Sequence, residues 1–446
     1  MMSSDAMKSE SATEDWMPES PPIPNHWVYV DFEEAFENLP LTGLKIPQKE
    51  YEQSGEYPVI DQGANLIGGY TNDLDKVLHI SRSAIVFGDH TKCFKYISFP
   101  FAPGADEIKV LVPRNNVVEK YAFYACKSLR LPDRGYSRHY SFLKKNKFPL
   151  PPINEQHSIV AKIETLFSEL DKGIESLKTA REQLKVYRQA VLKHAFEGKL
   201  TEQWRKENVD KLEIPEQFHC KSEITKEELF GLPRIPPEWK YARLGSFILG
   251  IDAGKSFKCD EREPSEEEIG VAKVSAVTWG EYDESESKTC NDLGKINESY
   301  FIRKGDFLLS RANTIELVGA CVIAKNVTKR IMLSDKTLRI EFSSLLQEYF
   351  LYWLRSPIGR NEIMSRSSGN QESMRNIGQN RIKSIAFPLC GAKETEKISK
   401  IVEQQETQMQ KLNGEIASEL ARAEILRQSI LKKAFSGRLV ETKVET

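Results

Sequence analysis

A chain of 446 residues with 40% hydrophobic residues, 29% charged residues and a net charge of −2 has the length for two or three domains with cores of their own. That balance excludes a collagenous, mucin-like or acidic disordered polymer. No apolar run approaches the roughly 18 residues that a membrane helix needs, and the first residues lack the basic and apolar regions of a secretory signal. Seven cysteines, odd in number and never in a Cys-x-x-Cys pair, read as reduced thiols of a cytoplasmic protein, with neither a disulfide framework nor a zinc site.

Residues 1–23 are polar, acidic and run into Pro21-Pro22-Ile23-Pro24, which reads as a disordered leader. Folded sequence starts at Pro24-Asn25-His26-Trp27, and a similar entry, Pro236-Pro237-Glu238-Trp239, recurs later. The first globular segment, 24–152, predicts short strands between Gly, Pro and Asp: Val77 to Phe87, closed by Gly88-Asp89-His90-Thr91, and Ile108 to Val112, closed by Pro113. One helix is expected at Lys120 to Leu129. The second segment, 236–390, predicts strands at Lys304 to Arg311 and Val318 to Ile323 and one helix at Gln347 to Leu354. Both read as compact α+β domains.

Between and after them the pattern changes to heptads. Ile163, Leu170, Leu177, Leu184 and Val191 recur every seven residues, with Ile159, Leu166, Ala180 and Tyr187 in the second seam position. At a constant offset of 239, Phe148-Pro149-Leu150 recurs as Phe387-Pro388-Leu389 and Leu192-Lys193-His194-Ala195-Phe196 as Leu431-Lys432-Lys433-Ala434-Phe435. The second copy offers Val402, Met409, Ile416, Ala423 and Ile430, with Gln405, Glu419 and Lys433 as polar breaks in its second seam. Five heptads in each copy predict two coiled-coil helices, roughly 65 Å long each, within 153–200 and 391–446 and separated by a linker, 201–235, and the second globular segment. Packed antiparallel, they would bury both seams and carry one domain at each end in a pseudo-twofold arrangement.

Charge is uneven. Lys76 to Lys147 holds fourteen Lys or Arg against five Asp or Glu, and Phe301 to Phe387 fourteen against seven. Two basic segments on a nearly neutral chain point to two polyanion-facing surfaces. Catalytic patterns are poor by comparison. Gly254-Lys255-Ser256 has Leu249 where a phosphate loop requires glycine. Asp89, Glu107 and Lys109 only loosely resemble a metal-dependent nuclease. No Asn-Pro-Pro-Tyr or Asp-Pro-Pro-Tyr of an amino-methyltransferase occurs, and the histidines lack ligand spacing.

Polar loops fit nucleic-acid reading instead. In the first segment these are Arg82, His90, Lys92 and the run Arg134, Tyr136, Ser137, Arg138, His139, with Lys144, Lys145 and Lys147 suited to phosphates. In the second they are Arg311, Asn313, Asn370, Gln371, Arg375, Asn380 and Arg381. Arginine reads guanine and Asn or Gln reads adenine through paired hydrogen bonds in the major groove. A coiled-coil adaptor with two protein-binding heads, and a stand-alone nuclease using Asp89, Glu107 and Lys109, are the alternative readings.

Phe148-Pro149-Leu150-Pro151-Pro152-Ile153-Asn154-Glu155-Gln156, the helix end Leu192 to Leu200 and their second copies resemble the specificity subunits of type I restriction-modification systems. So do Gly88-Asp89-His90-Thr91 with Gly104-Ala105-Asp106, and Leu333-Ser334-Asp335-Lys336. Cys390-Gly391 departs from the usual Pro-Pro and leaves the second helix start open. The resemblance implies a non-catalytic subunit of a DNA adenine methyltransferase and endonuclease. Two target-recognition domains would each read one half of a split, asymmetric site on double-stranded DNA, and the helices would fix the gap. It also implies partners: two methyltransferase subunits carrying S-adenosylmethionine, and restriction subunits using ATP and Mg. No cofactor is expected on this chain.

Overall fold

The computed structural model describes residues 18, 20–104, 107–135, 137–212, 224–278, 280–343 and 346–440. The expected leader therefore lies almost wholly outside the described residues, as does Tyr136. The chain divides into two compact units, Met1–Lys178 with Ala417–Thr446, and Thr179–Ile416. Each holds one globular domain and one part of both long helices.

The first domain begins with β1 (Val28–Asp31), α1 (Phe32–Ala35) and β2 (Phe36–Leu39), followed by β3 (Tyr57–Ile60) and β4 (Gly69–Thr71). Then come β5 (Ala84–Gly88), β6 (Phe94–Ile97), β7 (Ala102–Pro103), β8 (Ile108–Pro113), α2 (Glu119–Ser128), α3 (Tyr140–Lys144) and β9 (Lys147–Leu150). Its strands form a four-stranded sheet in the order β2-β8-β5-β6, a three-stranded sheet β4-β3-β7 in which β3 and β7 are parallel, and the pair β1-β9. β5 is buried throughout because it is central and covered on both faces, so it reads as a continuous apolar run rather than an alternating one. The alternation expected over residues 77–83 is no strand. Leu78 makes one isolated bridge to Phe101, and the apolar residues there pack from irregular backbone.

The second domain repeats this topology. β10 (Lys240–Arg243) pairs with β21 (Ala386–Leu389), and β11 (Ile248–Ala253), β18 (Thr337–Phe342), β14 (Phe307–Ser310) and β16 (Cys321–Ile323) make the four-stranded sheet in that order. β13 (Ser287–Thr289), β12 (Ile269–Ala272) and β17 (Arg330–Met332) make the mixed sheet, with β12 and β17 parallel. α7 (Gln347–Arg355) matches α2, and α9 (Gln379–Lys383) matches α3. Tyr121 and Tyr349, both fully buried, donate their hydroxyls to the carbonyls of Pro149 and Pro388 at 2.8 and 2.7 Å. Two additions set the second domain apart: α8 (Pro357–Arg366), and a small sheet in the order β15 (Ala312–Asn313), β20 (Met374–Asn376), β19 (Ser368–Gln371). One helix per segment was too few: α3 and α9, of five residues each, lack the length that makes a period legible, and α8, of ten, buries only Gly359 and Ile363 and so shows no apolar stripe.

The long helices are α4 (Ile153–Phe196), of 44 residues, and α10 (Ala392–Ala434), of 43. Their first residues differ by the same 239 as the sequence repeat, so Cys390-Gly391 does not displace the second helix start. Gly198 and Gly437 end the two helices at φ +73° and +67°. The next amide reaches back five residues in both cases, Lys199 to His194 and Arg438 to Lys433 at 2.9 and 2.8 Å, a left-handed cap that suits glycine. A Cβ on Gly198 would collide with Pro236, and one on Gly437 with Pro24.

Within each unit the helices run antiparallel. In the first, Ile159, Ile163 and Phe167 share a core with Ile430, Leu431 and Phe435, and Arg427 pairs with Asp171 while lying over the Phe167 ring. In the second, Leu192 and Phe196 share a core with Ile398 and Val402, and Arg188 pairs with Glu406 at 2.7 Å. Of the seam residues, Ile163, Val191, Val402, Met409, Ala423 and Ile430 are buried, and Leu170, Leu177, Leu184 and Ile416 half-buried. Tyr187 is instead 51% exposed and donates its hydroxyl to Gln405. The linker is partly helical, with α5 (Glu202–Glu207) and α6 (Lys226–Phe230).

Candidate nucleic-acid interface

In the first domain the site grows from the end of β5. Gly88 is required there, since a Cβ would run into Gln62 and Thr91. Asp89 follows, only 2% exposed, and its Oδ1 accepts the amides of His139 and Tyr140 at 2.7 and 2.6 Å. One buried carboxylate thus caps the start of α3 and ties the Arg134–Arg138 loop to the strand end. Asp89 is placed as a structural acceptor rather than as a metal ligand, and no cluster of three metal-binding side chains occurs among the described residues.

His139, expected to meet DNA, is fully buried with Nδ1 against the Asp89 carbonyl at 3.0 Å. Its place in the core follows from the capping contact. Arg82 lies beyond the opposite end of β5, with its three nitrogens on Glu119, Asn115 and the Val117 carbonyl. Neither side chain stands at the loop surface.

The others do converge. His90 Nδ1 sits 3.2 Å from the Ser137 carbonyl, Lys92 holds Asp133 at 3.1 Å, and Arg138, 68% exposed, touches Glu107 at 3.0 Å. Two rings carry four cations. Lys109 and Lys144 lie 5.5 and 5.7 Å from the Tyr140 ring centre, and Arg134 and Lys145 lie 5.2 and 6.0 Å from that of Phe142. Ring faces attract cations without neutralising them, so the result is a basic shelf one strand end wide. Burial, reinforced by Glu33 and Asp89, raises the Tyr140 phenol above its ordinary value, and its hydroxyl stays protonated. Lys147 and Lys144 also pair with Asp31 and Glu33. Lys109 and Tyr140 were not singled out as DNA contacts from sequence; an outward lysine on β8 was the available signal.

In the second domain the same strand end leads into the added sheet. Counting from the paired core residues Ile85 with Leu111 and Phe307 with Ile340, His90 takes the position of Ala312, one residue before Asn313. Asn313 lies on β15 against Arg375 of β20, and Asn370 and Gln371 lie exposed on β19. Arg375 is a clamp, because it donates to the Ser367 hydroxyl, the Ser367 carbonyl and the Gly369 carbonyl at 3.1, 2.9 and 2.8 Å. Gly369, at φ +145°, lets the hairpin close on the Met374 carbonyl. Arg381 donates to the Arg366 carbonyl, and Asn380 is exposed on α9. The amides of Asn370 and Gln371 and the guanidinium of Arg311 meet no side-chain partner among the described residues, which leaves a rigid hairpin edge of open donors and acceptors.

Residues 24–179 match the Type I restriction modification DNA specificity domain. The chain is 29% identical over 298 residues to the type I restriction enzyme EcoKI specificity subunit of Escherichia coli strain K12, covering 65% of this chain and 57% of that protein. It is 24% identical over 433 residues to the EcoDI specificity subunit of Escherichia coli, covering 94% and 89%. The match to EcoKI spans less than two thirds of that relative's length. A solved chain from work on the structural basis of complex assembly and conformational transition of the type I R-M system shares the fold. It has a TM-score of 0.62 at 18% identity and covers 94% of this chain and 100% of that one.

Proposed function

The chain belongs to the family of type I restriction-modification specificity subunits, and from that premise we propose that it reads a bipartite, asymmetric target on double-stranded DNA, one half through each domain. One observation carries the reading. Two domains of equal topology present different polar surfaces from the same strand end, the Arg134–Arg138 shelf in one and the Asn370–Arg375 hairpin in the other. A shared scaffold with unlike edges suits two unlike half-sites. The chain itself does no chemistry and binds no cofactor. Methylation of adenine with S-adenosylmethionine, and cleavage driven by ATP and Mg, belong to the methyltransferase and restriction subunits.

The paired helices set the gap between half-sites. Deleting four residues, about one turn, within 170–190 is expected to change the spacing of the methylated target or abolish methylation. An unchanged target on methylome sequencing would reject the helices as a ruler.

Two methyltransferase subunits dock on equivalent helix positions. Val186 and Tyr187 are 71% and 51% exposed, and Ile425 and Leu426, their counterparts at the 239 offset, 71% and 49%. Doubled apolar pairs on otherwise polar faces fit one partner copy each. Val186→Asp and Ile425→Asp, singly, are each expected to reduce the co-purified methyltransferase from two copies to one. Retention of both copies in each variant would move the docking site elsewhere.

A further inference from the structure

Beside the shelf, the end of β2 and the turn after it open a cleft of about 550 Å³. Three half-buried lysines face it: Lys45, Lys76 and Lys109. None of the described residues lining it carries a carboxylate. Lys76 is steadied by the Gly43 carbonyl at 2.6 Å, and Lys45 meets no acceptor among the described residues. Among the described residues, Lys109 pairs with Glu107 at 3.9 Å, which Arg138 already engages at 3.0 Å. Converging ammonium groups in a concave, partly desolvated place repel one another and focus a positive potential. An anion relieves that repulsion.

The pairing of Lys109 with Phe87 sets the cleft against the end of β5 that leads into Asp89 and His90, and Lys109 itself also lies at the Tyr140 ring. The equivalent place after β11 differs: there Gly254-Lys255-Ser256 turns back on Leu333, and the Ser256 hydroxyl donates to the carboxylate of Asp335. The concave lysine trio is a property of the first domain.

We infer that this cleft is a phosphate-binding site, and that it holds the DNA backbone flanking the bases read by the shelf. This rests on the DNA-reading function proposed above. Lysines in such a place supply affinity without sequence preference.

The test uses the complex assembled with its methyltransferase subunits. Dissociation constants for target and non-target duplexes are measured across salt for wild type, Lys45→Met, and Lys45→Met with Lys76→Met. The double variant is expected to weaken both duplexes by the same factor, to leave their ratio unchanged, and to lower the salt slope by about two, roughly one per lysine. Lys45→Met alone gives about half the effect, and because its ammonium holds no acceptor among the described residues, its melting temperature stays at the wild-type value. Unchanged affinity and slope in the double variant, with the wild type binding normally, would overturn the site. Inorganic pyrophosphate that binds the wild-type complex without displacing DNA would assign the cleft to a free phosphate and overturn the backbone assignment. A wild-type complex that fails to prefer its target would instead remove the premise.

Discussion

The two long helices start alike and are anchored differently. Glu394, near the start of α10, accepts the Thr201 hydroxyl at 2.6 Å, the Arg205 guanidinium at 2.5 Å and the Trp239 indole at 2.9 Å. Arg205 also stacks at 5.5 Å on Trp239 and donates to the Gly198 carbonyl. Its counterpart Glu155 has, among the described residues, only His26 at 2.9 Å, whose side chain is 44% exposed. Trp27, the counterpart of Trp239, keeps a buried indole N–H without a partner among the described residues, and Val440, the counterpart of Thr201, has no hydroxyl. Duplication preserved the carboxylate and the indole, but only the second copy completes their bonding. A repeated sequence therefore does not guarantee repeated energetics, since the satisfying partners come from segments outside the repeat.

The sharpest way to break that comparison is to remove each carboxylate. Glu394→Ala strands a buried guanidinium and is expected to cost about 3 to 5 kcal/mol in urea unfolding of the full chain. Glu155→Ala loses one half-exposed pair and is expected to cost about 1 kcal/mol. Equal losses would show that the network around Glu394 adds nothing.

Next in size are the reading edges. Arg375→Ala removes three hydrogen bonds that hold the hairpin and is expected to cost about 2 kcal/mol of discrimination in the second half-site. Arg138→Ala, at an exposed position, is expected to leave stability within about 0.5 kcal/mol. It should relax one base position of the first half-site by about 1 to 3 kcal/mol in competition binding. An even loss on all sequences would mark Arg138 as a phosphate contact.

The smallest effect concerns acid. Arg243, with help from the Thr225 amide, holds Glu228 down to about 2. A depressed carboxylate contributes stability that is complete above its unfolded value near 4.5 and is lost as pH falls toward 2. The melting-temperature gap between wild type and Glu228→Gln at pH 6 should therefore close between pH 4.5 and 2. Among the described residues, only the second unit has carboxylates held down to about 2, Glu228 in the linker and Glu268 in the second domain. A gap that persists at pH 2 would assign the effect to packing.

Both helices and their glycine-capped ends were legible because heptads and glycine caps are local signals, whereas the start of the second helix was left open at Cys390-Gly391 and is placed at Ala392 by the structure. The strand ends carrying the site were also legible as turns. What each polar residue does there was not. His139 and Arg82 have the side chains of DNA readers, but their acceptors, Asp89 and Glu119, lie fifty and thirty-seven residues away in the chain. Spacing reveals neighbours along a helix or strand; it does not reveal which donors the fold has already paired.

Gly437 seats the end of the last helix on Pro24, at the entry to the first domain. Any side chain introduced at that glycine pushes on a proline four hundred residues upstream, so damage at the tail registers at the head. Fusions placed directly after Gly437 should accordingly disturb the first half-site before the second.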